Sequence, residues 1–255
     1  MLPRPAFAFA KDLGNVGEES QEVVFSLGLT QTEVISFAGE HKGMSALPGL
    51  WASFHTSETD SMVAFQNCYA EALRAANALD EKIQTDSVAA AGQDYATITT
   101  LSTRQVFGAL QFAGTESKPY VFLKEISSNS DIQTVDVIFP TYPILLYLNP
   151  NLGKYLLDPL FENQESGRYP NKWAIHDLGT FPVAKGYSGG SDEPMPLEEC
   201  GNMMIMTLAY ANRTGDVNYL NDHYPLLAQW AEFLIEEALI PARQLSTDDF
   251  AGPLE

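Results

Sequence analysis

The chain has 255 residues, 45% hydrophobic and 18% charged, a balance that supports a sizeable buried core and excludes an intrinsically disordered protein. Fourteen Lys and Arg against 33 Asp and Glu give a net charge of -19, which argues against nucleic acid or an anionic membrane as partner, because both call for clustered basic side chains. Two cysteines, Cys68 and Cys200, are too few for a disulfide framework, and no apolar run reaches the ~18 residues of a membrane span.

In chain order, Ala6 to Ala10, Glu22 to Gly28 and Glu33 to Ala38 read as short strands. Two or three strands without a partner sheet are marginal, so this start is expected to be the tail of a β-domain or an edge that pairs with other material. The opening residues do not read as a secretion signal, since Pro and Lys interrupt a short apolar stretch, so secretion is not legible in this stretch directly. From Ser53 the pattern turns helical. Met62 to Asp80 carries apolar residues at three- and four-residue spacings, with Ser61 as its cap. Tyr95 to Phe112 reads as a second helix, Tyr120 to Leu123 as a short strand, and Asp131 to Phe139 fits either strand or extended loop. Pro140, Pro143 and Pro150 bracket an apolar segment, Ile144 to Leu148. Leu152 to Asn163, Glu198 to Asn212 and Val217 to Leu239 read as further helices, the last ended by Pro241. Helices of this length joined by aromatic-rich loops suggest stacked helical hairpins, and in a ring of hairpins the loops meet at one end and frame a pocket.

Trp173 to Met206 concentrates ionisable groups, glycines and aromatics. The loop from Gly179 to Pro196 is long for a plain connection, and such loops tend to carry function. Asp177 follows His176 and is flanked by Trp173, Ile175 and Leu178, a setting that desolvates a carboxyl and suits it to general-acid work; the plain alternative is an acceptor in its own turn. Glu198 and Glu199 open an apolar helix, where one acid can cap the first turn while the other, about 100° round the axis, faces the pocket. Cys200 follows two glutamates, which disfavour a thiolate, and reads as a packing residue. His41, His55, His176 and His223 show no metal-ligand spacing, nothing resembles a phosphate loop or nucleophile elbow, and a calcium site at Asp192 and Glu193 has no support. Asn212-Arg213-Thr214 is a glycosylation sequon.

Several segments carry a resemblance in order along nearly the whole chain. These are Phe7 to Asn15, Asn149 to Gly153 with Leu157 to Phe161, His176 to Gly179, Glu198 to Met206 and Leu245 to Phe250. Together they resemble the secreted glutaminase A-type proteins of fungi and their bacterial relatives. That resemblance implies a mainly α fold, part of an (α/α)6 toroid of helical hairpins over residues 46–255, preceded by the end of a β-sandwich at residues 1–45. It implies extracellular hydrolysis of L-glutamine to L-glutamate and ammonia. The small-molecule substrate is glutamine or a related amide, and the expected partners are the N- and C-terminal parts of the longer family proteins. Asp177 and Glu198 match acidic positions of the family. From the chemistry of amide hydrolysis they are expected to be the acid and base, facing one another across the pocket mouth, without metal or cofactor. Trp173, His176, Glu199, Asn202 and Asp248 are the expected substrate contacts. The alternatives are a glycoside hydrolase, since paired carboxylates on a hairpin barrel also suit sugars, and a non-catalytic fragment.

Overall fold

The computed structural model describes residues 8–40, 43–125 and 129–240, and is mainly helical. Residues 8–32 form no helix or strand. The expected strand over Glu22 to Gly28 is therefore not formed. Its residues pair with no strand among the described residues, and Phe25, Leu27 and Leu29 stay exposed at 63%, 98% and 83%. Of the segment Ala6 to Ala10, residues 6 and 7 lie outside the described residues and 8–10 are not extended into a ladder.

The third expected strand forms as β1 (Glu33–Phe37) and pairs antiparallel with β2 (Ser45–Pro48). A 3-10 turn, Leu50–Ser53, leads to α1 (Glu58–Asn67), capped by the Ser57 hydroxyl, which accepts from the amide of Asp60. After a break at Cys68, α2 (Tyr69–Ala91) and α3 (Gln93–Ala109) pack as a hairpin around Gly92, whose φ of 89° lets the chain reverse in one residue. Phe112, expected in the second helix, instead lies in β3 (Leu110–Thr115), which forms a hairpin with β4 (Lys118–Leu123).

Gln133 then clamps the chain. Fully buried with φ 63°, its side chain accepts from the amide of Leu123 and donates to the carbonyls of Val121 and Leu156. That fixes the entry to α4 (Val135–Leu148), which runs straight through Pro140 and Pro143 rather than being bounded by them. Each interior proline costs roughly 3 kcal/mol. Burial of Val135, Ile138, Tyr142 and Leu145, at roughly 1.5–3 kcal/mol each, offsets that cost. The second helix of this pair, α5 (Pro150–Glu165), starts at an Asn149 cap with Pro150 in its first turn, and buries Leu156, Leu157, Leu160 and Phe161.

After the long loop come α6 (Pro196–Thr214), α7 (Val217–Asp222) and α8 (Tyr224–Glu237). The single helix expected over Val217 to Leu239 is broken at His223, because Pro225 cannot donate the hydrogen bond that would carry the helix through. Helices α4, α5 and α8 all pack on α6, and one core joins them to β4, with Trp230 and Phe122 fully enclosed. Within the loop, Val183–Ala184 forms β5 and adds in parallel to β1, giving the order β2-β1-β5. The amino-terminal strand thus finds a second partner, beside β2, in the long loop. No helix among the described residues is long and apolar enough to cross a membrane.

A buried carboxylate–imidazole cluster as candidate functional site

Three pieces of backbone converge beneath the loop. The first turns of α4 and α6 supply Asp136 and Glu199, and the extended segment between them in sequence supplies His176 and Asp177. The carbonyl of His176 accepts from the amide of Val135 at 2.8 Å, so this segment is tied to the start of α4. Both helices point their amino-terminal ends, the positive ends of their dipoles, at the acids they carry.

His176 sits at the centre and is 3% exposed. Its Nδ1 lies 2.8 Å from Oδ2 of Asp177 and its Nε2 3.7 Å from Oδ1 of Asp136. Asp177 also accepts from the amide of Gly179 at 2.6 Å and the Tyr187 hydroxyl at 2.9 Å. With Asp177 as acceptor, Nδ1 donates and Nε2 faces Asp136. Burial opposes charge on His176, but the hydrogen bond and charge of Asp177, followed by Asp136 and Glu193, outweigh it and raise its pKa. Asp192 takes both of its oxygens to the Tyr169 hydroxyl at 2.9 Å and accepts the amide of His176 at 3.0 Å. Burial raises its pKa against those donors.

Glu199 is fully enclosed. Burial, then the charges of Asp136 and Glu198, push its pKa well above the usual carboxyl value; Asn202 and the amide of Asp136 pull the other way. Glu198, one residue earlier in the same turn, is only partly buried. Of the two acids, Glu199 is the enclosed one and Glu198 the more exposed. Asn202 is buried, and its amide approaches Glu199 at 3.4 Å. Trp173 is half-buried against Phe233 of α8, with ring centroids 5.6 Å apart. Asp248 lies outside the described residues. Cys200 is wholly buried, its sulfur accepts the amide of Ala174 at 3.2 Å, and burial before any nearby charge drives the thiol up to about 12. That is a packing residue, and Cys68, exposed and free, is no partner to it.

Nothing in the sequence marks Asp136, Tyr169 or Tyr187 as part of a site, and Asp192 stands out there only as an unsupported calcium ligand. Asp136 is hidden because Asp131 to Phe139 fits strand or extended loop, and nothing local shows that Asp136 stands in the first turn of a helix. Tyr169 and Tyr187 are 18 residues apart in sequence, and only the path of the chain shows that their hydroxyls reach Asp192 and Asp177.

The family model of the glutaminase A six helical-hairpin domain matches residues 92–255, and a model of a domain of unknown function, DUF5127, matches residues 2–86. Glutaminase A of Aspergillus oryzae is 51% identical over 251 residues, covering 98% of this chain and 36% of that protein. A probable glutaminase of Arthroderma benhamiae is 35% identical over 318 residues, covering 99% of this chain and 37% of that protein. The chain spans little more than a third of the length of these relatives. With more than half of its length matched by the hairpin-domain model, and with its acidic cluster carried on helices of that domain, the chain belongs to the glutaminase A six helical-hairpin family.

Proposed function

We propose that the protein is an extracellular glutaminase, hydrolysing the side-chain amide of L-glutamine to L-glutamate and ammonia. The observation that carries this reading is the convergence of Asp136, His176, Asp177 and Glu199 in one buried cluster, in a chain 51% identical to a glutaminase A. Amide hydrolysis needs a group to activate water and a proton donor for the departing nitrogen. In this reading Glu198, at the rim, exchanges protons with substrate, while Asp177 fixes the tautomer and orientation of His176. Asp136 and Glu199 form the floor, and Asn202 holds Glu199.

The exposed apolar side chains on α6, α7 and α8 are, in the same reading, covered by further hairpins of the toroid. Secretion is what the resemblance to the secreted glutaminase A-type proteins implies, and Asn212, exposed in the last turn of α6, then becomes a glycosylation site. The test is ammonia release by the full-length protein from L-glutamine, beside L-asparagine and a panel of aryl glycosides. Turnover of glutamine is the expected result. Cleavage of a glycoside with glutamine untouched would replace this reading by the glycosidase one.

A further inference from the structure

We infer that Asp136, His176 and Glu199 form a binding site for one divalent cation of the borderline class, Zn2+ or Mn2+. One ligand atom from each residue lies within 4.8 Å of the other two. Bonds of roughly 2.0–2.2 Å to a central ion place such donors roughly 3–4 Å apart, so closure asks for side-chain movements under about 1 Å. The His176 Nε2 to Asp136 distance of 3.7 Å is already in that range, and too long for a hydrogen bond.

Two further observations point to a ligand at this place. Oε1 of Glu199 is buried without a hydrogen-bond partner among the described residues, on a side chain with no exposure at all. Leaving such an oxygen unpartnered is costly, by roughly 1–3 kcal/mol, and a cation would satisfy it. His176 is also held as metal-ligating histidines are held. Its Nδ1 is committed to Asp177, which leaves Nε2 as the free donor and aims it between two carboxylates. Asp177 is in turn braced by Gly179 and Tyr187, and the carbonyl of His176 is bonded to the start of α4. His176 is therefore held through its ring and its backbone, while Asp136 and Glu199 are carried on the first turns of α4 and α6.

Two carboxylates and one imidazole suit Zn2+ or Mn2+, whereas Ca2+ prefers six to eight oxygens, more than this enclosed site offers. Three protein ligands leave positions open for water, and the Asp136 side chain, 13% exposed, marks the side from which it enters. The catalytic use of the ion rests on the glutaminase reading; its binding does not. In that use the ion lowers the pKa of its bound water. The water oxygen adds to the amide carbon, the carbon–nitrogen bond breaks, and the proton passed through Glu198 leaves with the nitrogen as ammonia.

The experiment is elemental analysis of the full-length protein after chelator treatment and dialysis against Zn2+, Mn2+ or Ca2+ in separate arms. One equivalent of Zn2+ or Mn2+ per chain is expected, with a higher melting temperature than the stripped protein. Glu199→Gln, nearly isosteric, should lose the bound ion while keeping a native circular-dichroism spectrum. His176→Gln serves as the second variant should Glu199→Gln fail to fold. Co2+ in place of Zn2+ should give visible absorption bands that the variants lack. Failure to retain any ion, retention of Ca2+ alone, or full retention in both variants would overturn the site. An ion bound with glutamine untouched refutes the glutaminase reading alone. Full glutamine turnover by a stripped protein that takes up no ion refutes the cation site alone.

Discussion

Residue by residue, chemistry was legible in the sequence but direction was not. Glu198 and Glu199 were both visible as first-turn acids, and helix geometry required them to diverge. Which one turns inward is decided by α6 packing on α4, a contact no local pattern encodes. Asp177→Asn and Glu198→Gln should each lower glutamine turnover by a factor on the order of 10² or more, with folding intact, as measured by steady-state ammonia release. Were Glu198 only a dipole-favoured acid, Glu198→Gln would leave turnover unchanged and cost under about 1 kcal/mol of stability. Cys200 makes the converse case. The preceding glutamates are the visible reason for its inertness, but burial is the larger cause and Glu199 the smallest. A thiol titrating at about 12 inside a closed core is neither ionised nor reachable. A disulfide reagent should therefore label Cys68 alone in the folded chain and both cysteines after denaturation, by mass spectrometry. Cys200→Ser should keep its turnover; loss of activity without loss of stability would return Cys200 to the list of nucleophiles.

At the scale of elements, periodicity located most helices but not their breaks. Strong apolar periodicity made α5 and α6 visible, and Glu33 to Ala38 was recognisable as a strand. Helix α4 was hidden because its prolines carry the local signal of a boundary, while the compensating burial comes from α5 and α6. Strand β5 was hidden because two residues hold no pattern; its existence depends on β1 being beside it. The loop that includes β5 is kept in place by Gly186. Its φ of 65° lies in the left-handed region, its amide donates to the carbonyl of Leu178, and a Cβ there would meet Oδ1 of Asn163 at 2.4 Å. Asn163 cannot simply yield, since its amide donates to the carbonyl of Ala38 at the end of β1. Gly186→Ala should cost at least about 1–2 kcal/mol from backbone strain alone. A fall in melting temperature of roughly 2–8 °C is the expected readout. An unchanged melt would mean that the loop relaxes freely and does not brace Asp177 through Tyr187.

The whole molecule presents two large-scale features, an apolar face and an excess of acid. Ile205, Leu208, Tyr224 and Ile235 are 56%, 50%, 66% and 83% exposed along a groove of about 660 Å³ between α6 and α8. Contiguous apolar surface of this kind marks a contact site. Produced as this segment alone, the chain should bind a hydrophobic dye and self-associate in light scattering, and Leu208→Lys with Ile235→Lys should suppress both. The acid excess acts on stability through groups such as Asp158. It lies between Lys154 and Tyr219, accepting from the amine at 2.7 Å and the hydroxyl at 2.9 Å. Even so, burial raises its pKa, outweighing Lys154, Tyr219 and the more distant His223. The folded chain therefore holds this proton to a higher pH than the unfolded chain does. Its contribution is fully present below the unfolded carboxyl value and is lost as pH rises through the folded one. The net charge of -19 works in the same direction, because self-repulsion relaxes as carboxylates are neutralised. Melting temperature should accordingly rise on going from about pH 8 to about pH 5, the reverse of ordinary acid denaturation. Asp158→Asn cannot ionise and still accepts from Tyr219, so it should gain on the wild type at the alkaline end and lose that advantage at the acid end. A gap between the two melting curves that stays constant across this range would show that Asp158 carries the same charge in the folded and unfolded chains, and would leave net repulsion as the sole source of the effect.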